Sequence, residues 1–195
     1  MNLSFKTSVT KEEINLLPTL DFSGELFLIE TISDARVAAI ELQSAKILGF
    51  DTETRPSFTK GEFYHVSLLQ LATEKCTYLF RLNKIGLPQE VIALLSDPQI
   101  TKVGVAIHDD LKGLQKLVPF NPQGFIDLAK EAQKRGVQTF GLRALTAIYL
   151  GKRLSKAAKV TNWERSVLTE PQLLYAANDA LAGLEIYKAM FELVG

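Results

Sequence analysis

Two apolar runs in this chain end abruptly in carboxylates: KILGF runs into Asp51 and Glu53, and KVGVAI runs through His108 into Asp109 and Asp110. A nearly continuous apolar run is what a strand covered on both faces requires, so each run predicts a buried strand that leaves the core at an acid. Around them, GELFLIE (24–30) reads as a short strand. Ser33 or Asp34 is the expected cap of a helix through Ser44, with Val37, Ile40 and Leu42 on its buried side. HVSLLQLAT and CTYLFRL, joined by the tight TEK, read as a hairpin. Pro88 to Ser96 reads as a helix, Lys102 to Ile107 as the second buried strand, Asp109 to Val118 as a helix and Phe125 to Asp127 as a short strand. The remainder is helical: Gly136 and Gly151 sit at expected helix C-termini, and Thr169, Pro171 and Gln172 mark the start of the last helix. This order predicts an α/β fold with a mixed sheet of five or six strands and helices packed against it. One domain spanning 1–195 is expected, with 1–23 as an N-terminal extension of uncertain structure.

Composition bounds what such a domain can do. Of 195 residues, 47% are hydrophobic and 23% charged, near the soluble average, which argues against disorder. No apolar run approaches the roughly 20 residues needed to cross a bilayer, and the polar N-terminus lacks a secretory h-region. The expectation is an intracellular, cytoplasmic protein. Cys76 is alone, so neither an internal disulfide nor a cysteine-based zinc site is expected. Basic and acidic residues number 22 each, so bulk charge does not point to a polyanion partner and local charge must carry any such argument.

Three acidic places carry the chemistry. Asp51 and Glu53 are two apart in a strand and therefore share a face. An acid at a strand end also suits a helix cap or a ribose contact, but the second use needs a GxGxxG loop, which is absent. Asp109 and Asp110 open a helix, where negative charge suits the dipole in any case. Asp110 shares a side with Leu114 and Leu117, however, whereas Asp109 lines up with Gly113 and Lys116, so Asp110 is the acid that faces the sheet. Tyr175 and Asp179, four apart, share one side of the last helix, and Ala176, Ala177, Ala180, Ala182 and Gly183 allow it a close approach to its neighbour. Four carboxylates in such places repel one another unless protonated or bridged by cations. Divalent ions with oxygen ligands, such as Mg²⁺, relieve this, and two of them about 3.5–4 Å apart support in-line phosphoryl displacement. Tyr175 is then placed to orient the attacking water.

At these residues the chain resembles the DEDDy 3′-5′ exonucleases, the group with ribonuclease D and the exonuclease domain of the Werner syndrome helicase, on the ribonuclease H-like fold. The resemblance runs from about Gly24 to Phe191. It rests on DxE at Asp51 and Glu53, on Asp110 after a buried strand, on YxxxD at Tyr175 and Asp179, and on the lead-in GLRALTAIYLGKRLSK…NWERSVLTEPQLLYAANDA. It implies removal of nucleotides from a single-stranded 3′ end of DNA or RNA, releasing nucleoside 5′-monophosphates with two Mg²⁺ or Mn²⁺ ions. On that pattern Asp51 bridges both ions, Glu53 and Asp179 complete one site, Asp110 holds the other largely through water, and Tyr175 positions the nucleophile. Lys112 stands where Werner-type relatives often carry an aromatic residue. Lys112, Arg143, Arg153 and Lys156 are the expected nucleic-acid contacts, and Phe58, Phe63, Tyr64 and Trp163 are aromatic groups for stacking or for loop packing. Two other readings stand beside this one: a catalytically silent nucleic-acid-binding domain on the same fold, and a nuclease of short oligonucleotides.

Overall fold

The computed structural model describes residues 6–21, 23–155, 158 and 160–191. In chain order the elements are α1 (Lys11–Leu16), β1 (Glu25–Ile29), α2 (Ile32–Leu42), β2 (Ile47–Thr54), β3 (Val66–Ala72), β4 (Cys76–Phe80) and α3 (Leu82–Ile85). They continue with α4 (Gln89–Ser96), β5 (Thr101–Gly104), α5 (His108–Leu117), β6 (Phe125–Asp127), α6 (Leu128–Lys134), α7 (Leu142–Leu150) and α8 (Glu170–Phe191). The strands form one mixed sheet in the order β1-β4-β3-β2-β5-β6. β2 pairs antiparallel with β3 and parallel with β5, so the DxE strand is central and the expected hairpin is β3–β4.

Strand alternation sends β2 into two cores. Leu48 and Phe50 are buried with Ala35, Ala38, Leu42, Val91, Leu95 and Leu114 on the side of α2, α4 and α5. Gly49 and Asp51 look the other way, toward α8. The second face packs Val103 with Leu145, Ala182 and Ile186, and Leu68 and Leu79 with Trp163 and Ala176. This is the expected mixed sheet with helices on both faces.

Several local expectations change. α2 is capped by Thr31, whose hydroxyl accepts from Asp34 N–H, and not by Ser33 or Asp34. Its buried side is Ala35, Ala38, Ala39 and Leu42, while Val37 and Ile40 are 55% and 61% exposed. Small side chains let the helix sit close to α4, with Leu42 the one bulky group buried beside them and Val37 and Ile40 on the solvent side. The second buried strand is shorter than KVGVAI: β5 stops at Gly104, and Ala106 takes φ 60° before α5 begins, its N–H held by Asp127 Oδ1 at 2.9 Å. Residues 1–23, expected as an extension of uncertain structure, contain α1. Its Thr10 and Glu13 form a reciprocal capping box, Glu13 N–H donating to the Thr10 hydroxyl and Thr10 N–H to the Glu13 carboxylate. Gly151 ends α7 in the left-handed region and Gly136 follows α6 at φ 80°, as their positions imply. At the head of α8, Gln172 Oε1 accepts from Thr169 N–H at 3.0 Å.

Candidate active site

The site lies where β2 leaves the sheet beneath α8. Asp51 is half-buried, and its Oδ1 accepts from Thr52 N–H at 2.9 Å. Glu53 is on the same side two residues on, just before the β2–β3 register shifts between Glu53 and Thr54. Such an irregularity re-aims the end of a strand. Asp179, 7% exposed, comes down from the middle of α8. It can do so because that helix is nearly in backbone contact with the sheet: a Cβ added to Gly49 would lie 2.1 Å from the Ala180 carbonyl oxygen. One carboxylate oxygen from each of Asp51, Glu53 and Asp179 falls within 4.8 Å of the others. Tyr175, one turn earlier in α8, lines the same cavity as Asp51 and Asp179. Its ring rests 6.1 Å from that of Trp163, which is fully buried, so Trp163 is a packing group and not a stacking surface.

Asp110 is placed differently. In the first turn of α5, it accepts a short hydrogen bond from the Thr52 hydroxyl. Thr52 alternates with Asp51 and Glu53, so its side chain leaves the other face of β2. Asp110 therefore meets the strand from the α5 side and is not part of the 4.8 Å group, although its charge acts on Asp51. Asp109 is 93% exposed at its side chain and 4.0 Å from Lys112, which separates the two neighbouring acids as the helical wheel does.

The electrostatics follow from this crowding. Burial first, then the charges of Asp179, Glu53 and Asp110, push the Asp51 carboxyl well above the usual carboxylate range, against the single main-chain hydrogen bond that lowers it. Asp110 is also raised, mainly by burial, while the Thr52 hydroxyl and a helix N–H pull it down. Burial and the charge of Asp179 raise the Tyr175 phenol, which stays protonated in the neutral range. The donor set is all oxygen and its charge is uncompensated at Asp51, which fits a hard divalent cation.

Of the expected nucleic-acid contacts, Lys112 is exposed on α5. Arg143, in the first turn of α7, lines the same cavity as Asp51 and Asp179, and its Nε is buried with no hydrogen-bond partner. Arg153 has a structural tie, its Nε donating to Leu17 O at 3.0 Å. Lys156 lies outside the described residues. Phe58 and Phe63 are 84% and 89% exposed in the β2–β3 connection, whereas Tyr64 lies under the Arg55 guanidinium at 4.4 Å. Sequence reasoning missed Gln70. It is the cross-strand neighbour of Asp51, fully buried, and neither of its amide atoms has a hydrogen-bond partner. Its only signal was a polar residue inside the otherwise apolar LLQLA.

A 3′-5′ exonuclease family model matches residues 26–194. The chain belongs to the 3′-5′ exonuclease family. This family depends on divalent metal ions, in keeping with the carboxylate group. Mouse bifunctional 3′-5′ exonuclease/ATP-dependent helicase WRN is 33% identical over 184 residues, covering 89% of this chain and 13% of that protein. Among solved family structures, Escherichia coli RNase D, an exoribonuclease involved in structured RNA processing, is 25% identical with a TM-score of 0.73, covering 87% of this chain and 49% of that one. The Aedes aegypti Nibbler EXO domain superposes with a TM-score of 0.81 at 24% identity, covering 90% and 93% of the two chains, and supports the fold. The chain thus spans a small part of WRN and about half of RNase D. Among the described residues, no helix is long and apolar enough to cross a membrane.

Proposed function

We propose that this chain is a 3′-5′ exonuclease that hydrolyses the last phosphodiester of a single-stranded 3′ end, using two divalent ions, Mg²⁺ or Mn²⁺, and releasing nucleoside 5′-monophosphates. The observation that carries this reading is the meeting of Asp51, Glu53 and Asp179 within 4.8 Å, in a cavity that Tyr175 also lines. Asp51, central in the group, is the ligand that both ions would share. Glu53 and Asp179 would complete one site. Asp110, held off by Thr52, would serve the second through water. When bound, the ions offset the carboxylate charge and stabilise the attacking and leaving oxygens of an in-line displacement.

The protein's own groups then have defined tasks. With its phenol raised, Tyr175 keeps its proton and acts as a hydrogen-bonding group that orients the attacking water. The water oxygen forms its bond to phosphorus as the bond to the 3′ oxygen of the preceding nucleotide breaks. The electron pair leaves with that oxygen, which takes a proton and becomes the new 3′-OH. Arg143, in the same cavity, and exposed Lys112 would meet backbone phosphates.

Digestion of 5′-labelled single-stranded DNA and RNA with Mg²⁺, Mn²⁺ or EDTA tests this. A ladder shrinking from the 3′ end is expected in the metal lanes only, and none with Asp51→Asn. Cleavage that survives EDTA or the substitution overturns the reading, and binding without any ladder selects the silent domain instead.

A further inference from the structure

The segment from Thr7 to Leu20 precedes the residues matched to the exonuclease family, yet it is tied to the catalytic side of the fold. Gln138 N–H donates to Thr7 O at 2.7 Å and Val9 N–H to Thr139 Oγ1 at 3.3 Å. Arg153 exchanges main-chain bonds with Pro18 and Leu20 at 2.9 and 2.8 Å, and Ile14 and Leu20 are buried. So anchored, α1 closes one side of a cavity of about 460 Å³ whose lining includes Asp51, Tyr175 and Asp179. That volume lies within the range of pockets for small ligands, about 300–1,000 Å³, and suits one nucleotide unit.

Two cations from different elements line this cavity, Lys11 of α1 and Arg143 of α7. Among the described residues neither pairs with a carboxylate. Arg143 Nε is buried with no acceptor, an unusual position for a permanently charged donor. Each cation stands in the first turn of its helix, where the helix dipole disfavours positive charge, so neither is there for helix stability. A cavity with acids at one place and two uncompensated cations at another fits a polyanion. One of its phosphates would meet ions held by the acids, and the next would be gripped by the guanidinium fork and the ammonium.

Resting on the exonuclease reading above, we infer that Lys11 and Arg143 form a subsite for the backbone phosphate next to the scissile one, with α1 supplying half of it. The consequence is a preference for strands of three or more nucleotides over dinucleotides, whose single phosphate is the scissile one. Steady-state kinetics on a dinucleotide, a trinucleotide and a decamer, with Lys11→Ala combined with Arg143→Gln, tests this. The variant should raise KM for the two longer strands about tenfold more than for the dinucleotide, with kcat little changed, and Lys11→Arg with Arg143→Lys should restore most of the loss. Equilibrium binding of a dye-labelled decamer in EDTA gives a readout independent of cleavage. The slope of log K against log [salt] should become shallower by about 0.7, for the one phosphate no longer neutralised. An equal effect on dinucleotide and decamer, or an unchanged salt slope in a variant that melts like the parent, overturns the subsite. If no substrate is cleaved by the parent protein, the exonuclease reading fails and the salt slope alone decides the subsite.

Discussion

Asp51 is where stability and chemistry are opposed. Without cations its carboxylate is repelled by three others, so replacing it with the neutral isostere should stabilise the metal-free protein while removing activity. Asp51→Asn is expected to raise the melting temperature in EDTA, by an amount equivalent to about 1–2 kcal/mol, and to cut turnover at least about 10³-fold. A melt in EDTA below that of the parent would show that the acids do not strain the fold. Lys102 is the opposite case, a buried cation outside the site. Its Nζ donates to the carbonyls of Leu94, Asp97 and Ile100 at 3.1, 2.7 and 2.7 Å and lies 5.1 Å from the Phe125 ring. Burial pushes its pKa down to about 8, with Asp97 pulling the other way. Between there and the ordinary lysine value of about 10.4 the unfolded chain binds the extra proton, so this group makes folding stability rise with pH across that window. Lys102→Met should abolish the rise and, by orphaning the three carbonyls, cost about 2–3 kcal/mol at neutral pH. Denaturant melts from pH 7 to 10.5 measure both effects.

At the scale of elements, the site depends on how closely α8 rests on β2. The small residues Ala176, Ala177, Ala180 and Gly183 are buried along α8 where it crosses the sheet, and Gly49 receives the helix backbone at Ala180. Gly49→Ala would place a methyl group 2.1 Å from the Ala180 carbonyl oxygen, and main chain cannot yield as a flexible side chain does. The expected cost is about 3 kcal/mol or more, with a fall in kcat because Asp179 moves with the helix. Gly183→Ala should be milder, since its added Cβ meets Val103 O at 3.1 Å. Paired melts and initial rates rank the two, and the reverse order would mean that α8 is not held where Asp179 needs it. The apolar runs, the same-face pair Asp51 and Glu53, and the i,i+4 pair Tyr175 and Asp179 were legible because each follows from a strand or helix period. On α2 the same rule found buried Leu42 but misplaced Val37 and Ile40. Val37 and Ile40 are more hydrophobic than the alanines beside them, but close packing against α4 selected small side chains.

For the whole molecule, the carboxylate group should link metal binding to folding. Ions that bind only the folded state stabilise it by mass action, by about 2.7 kcal/mol at 100 times the dissociation constant. Titrating Mn²⁺ should therefore raise the melting temperature in a saturable way, EDTA should reverse it, and Asp51→Asn should blunt it. A melting temperature indifferent to Mn²⁺ in the parent protein would mean that the acids do not form a cation site. With 22 basic and 22 acidic residues, overall charge gives no general pull on a polyanion, so affinity for a strand must come from local groups such as Lys11 and Arg143.

The amino-acid sequence alone determined which residues are acids at the ends of buried strands and on one side of an apolar helix, because side-chain periods of 2 and 3.6 are local properties of the backbone. It also carried the order of motifs that marks the family. Only the tertiary structure decided which acids meet. Asp179 joins Asp51 and Glu53 because Gly49 admits α8, while Asp110 accepts from the Thr52 hydroxyl and stays outside that group. Gln70 comes to lie beside Asp51 through the β2–β3 register, and α1 joins the cleft through hydrogen bonds to residues more than 100 positions away. Pairings at such separations depend on register and packing distance, which no local pattern encodes.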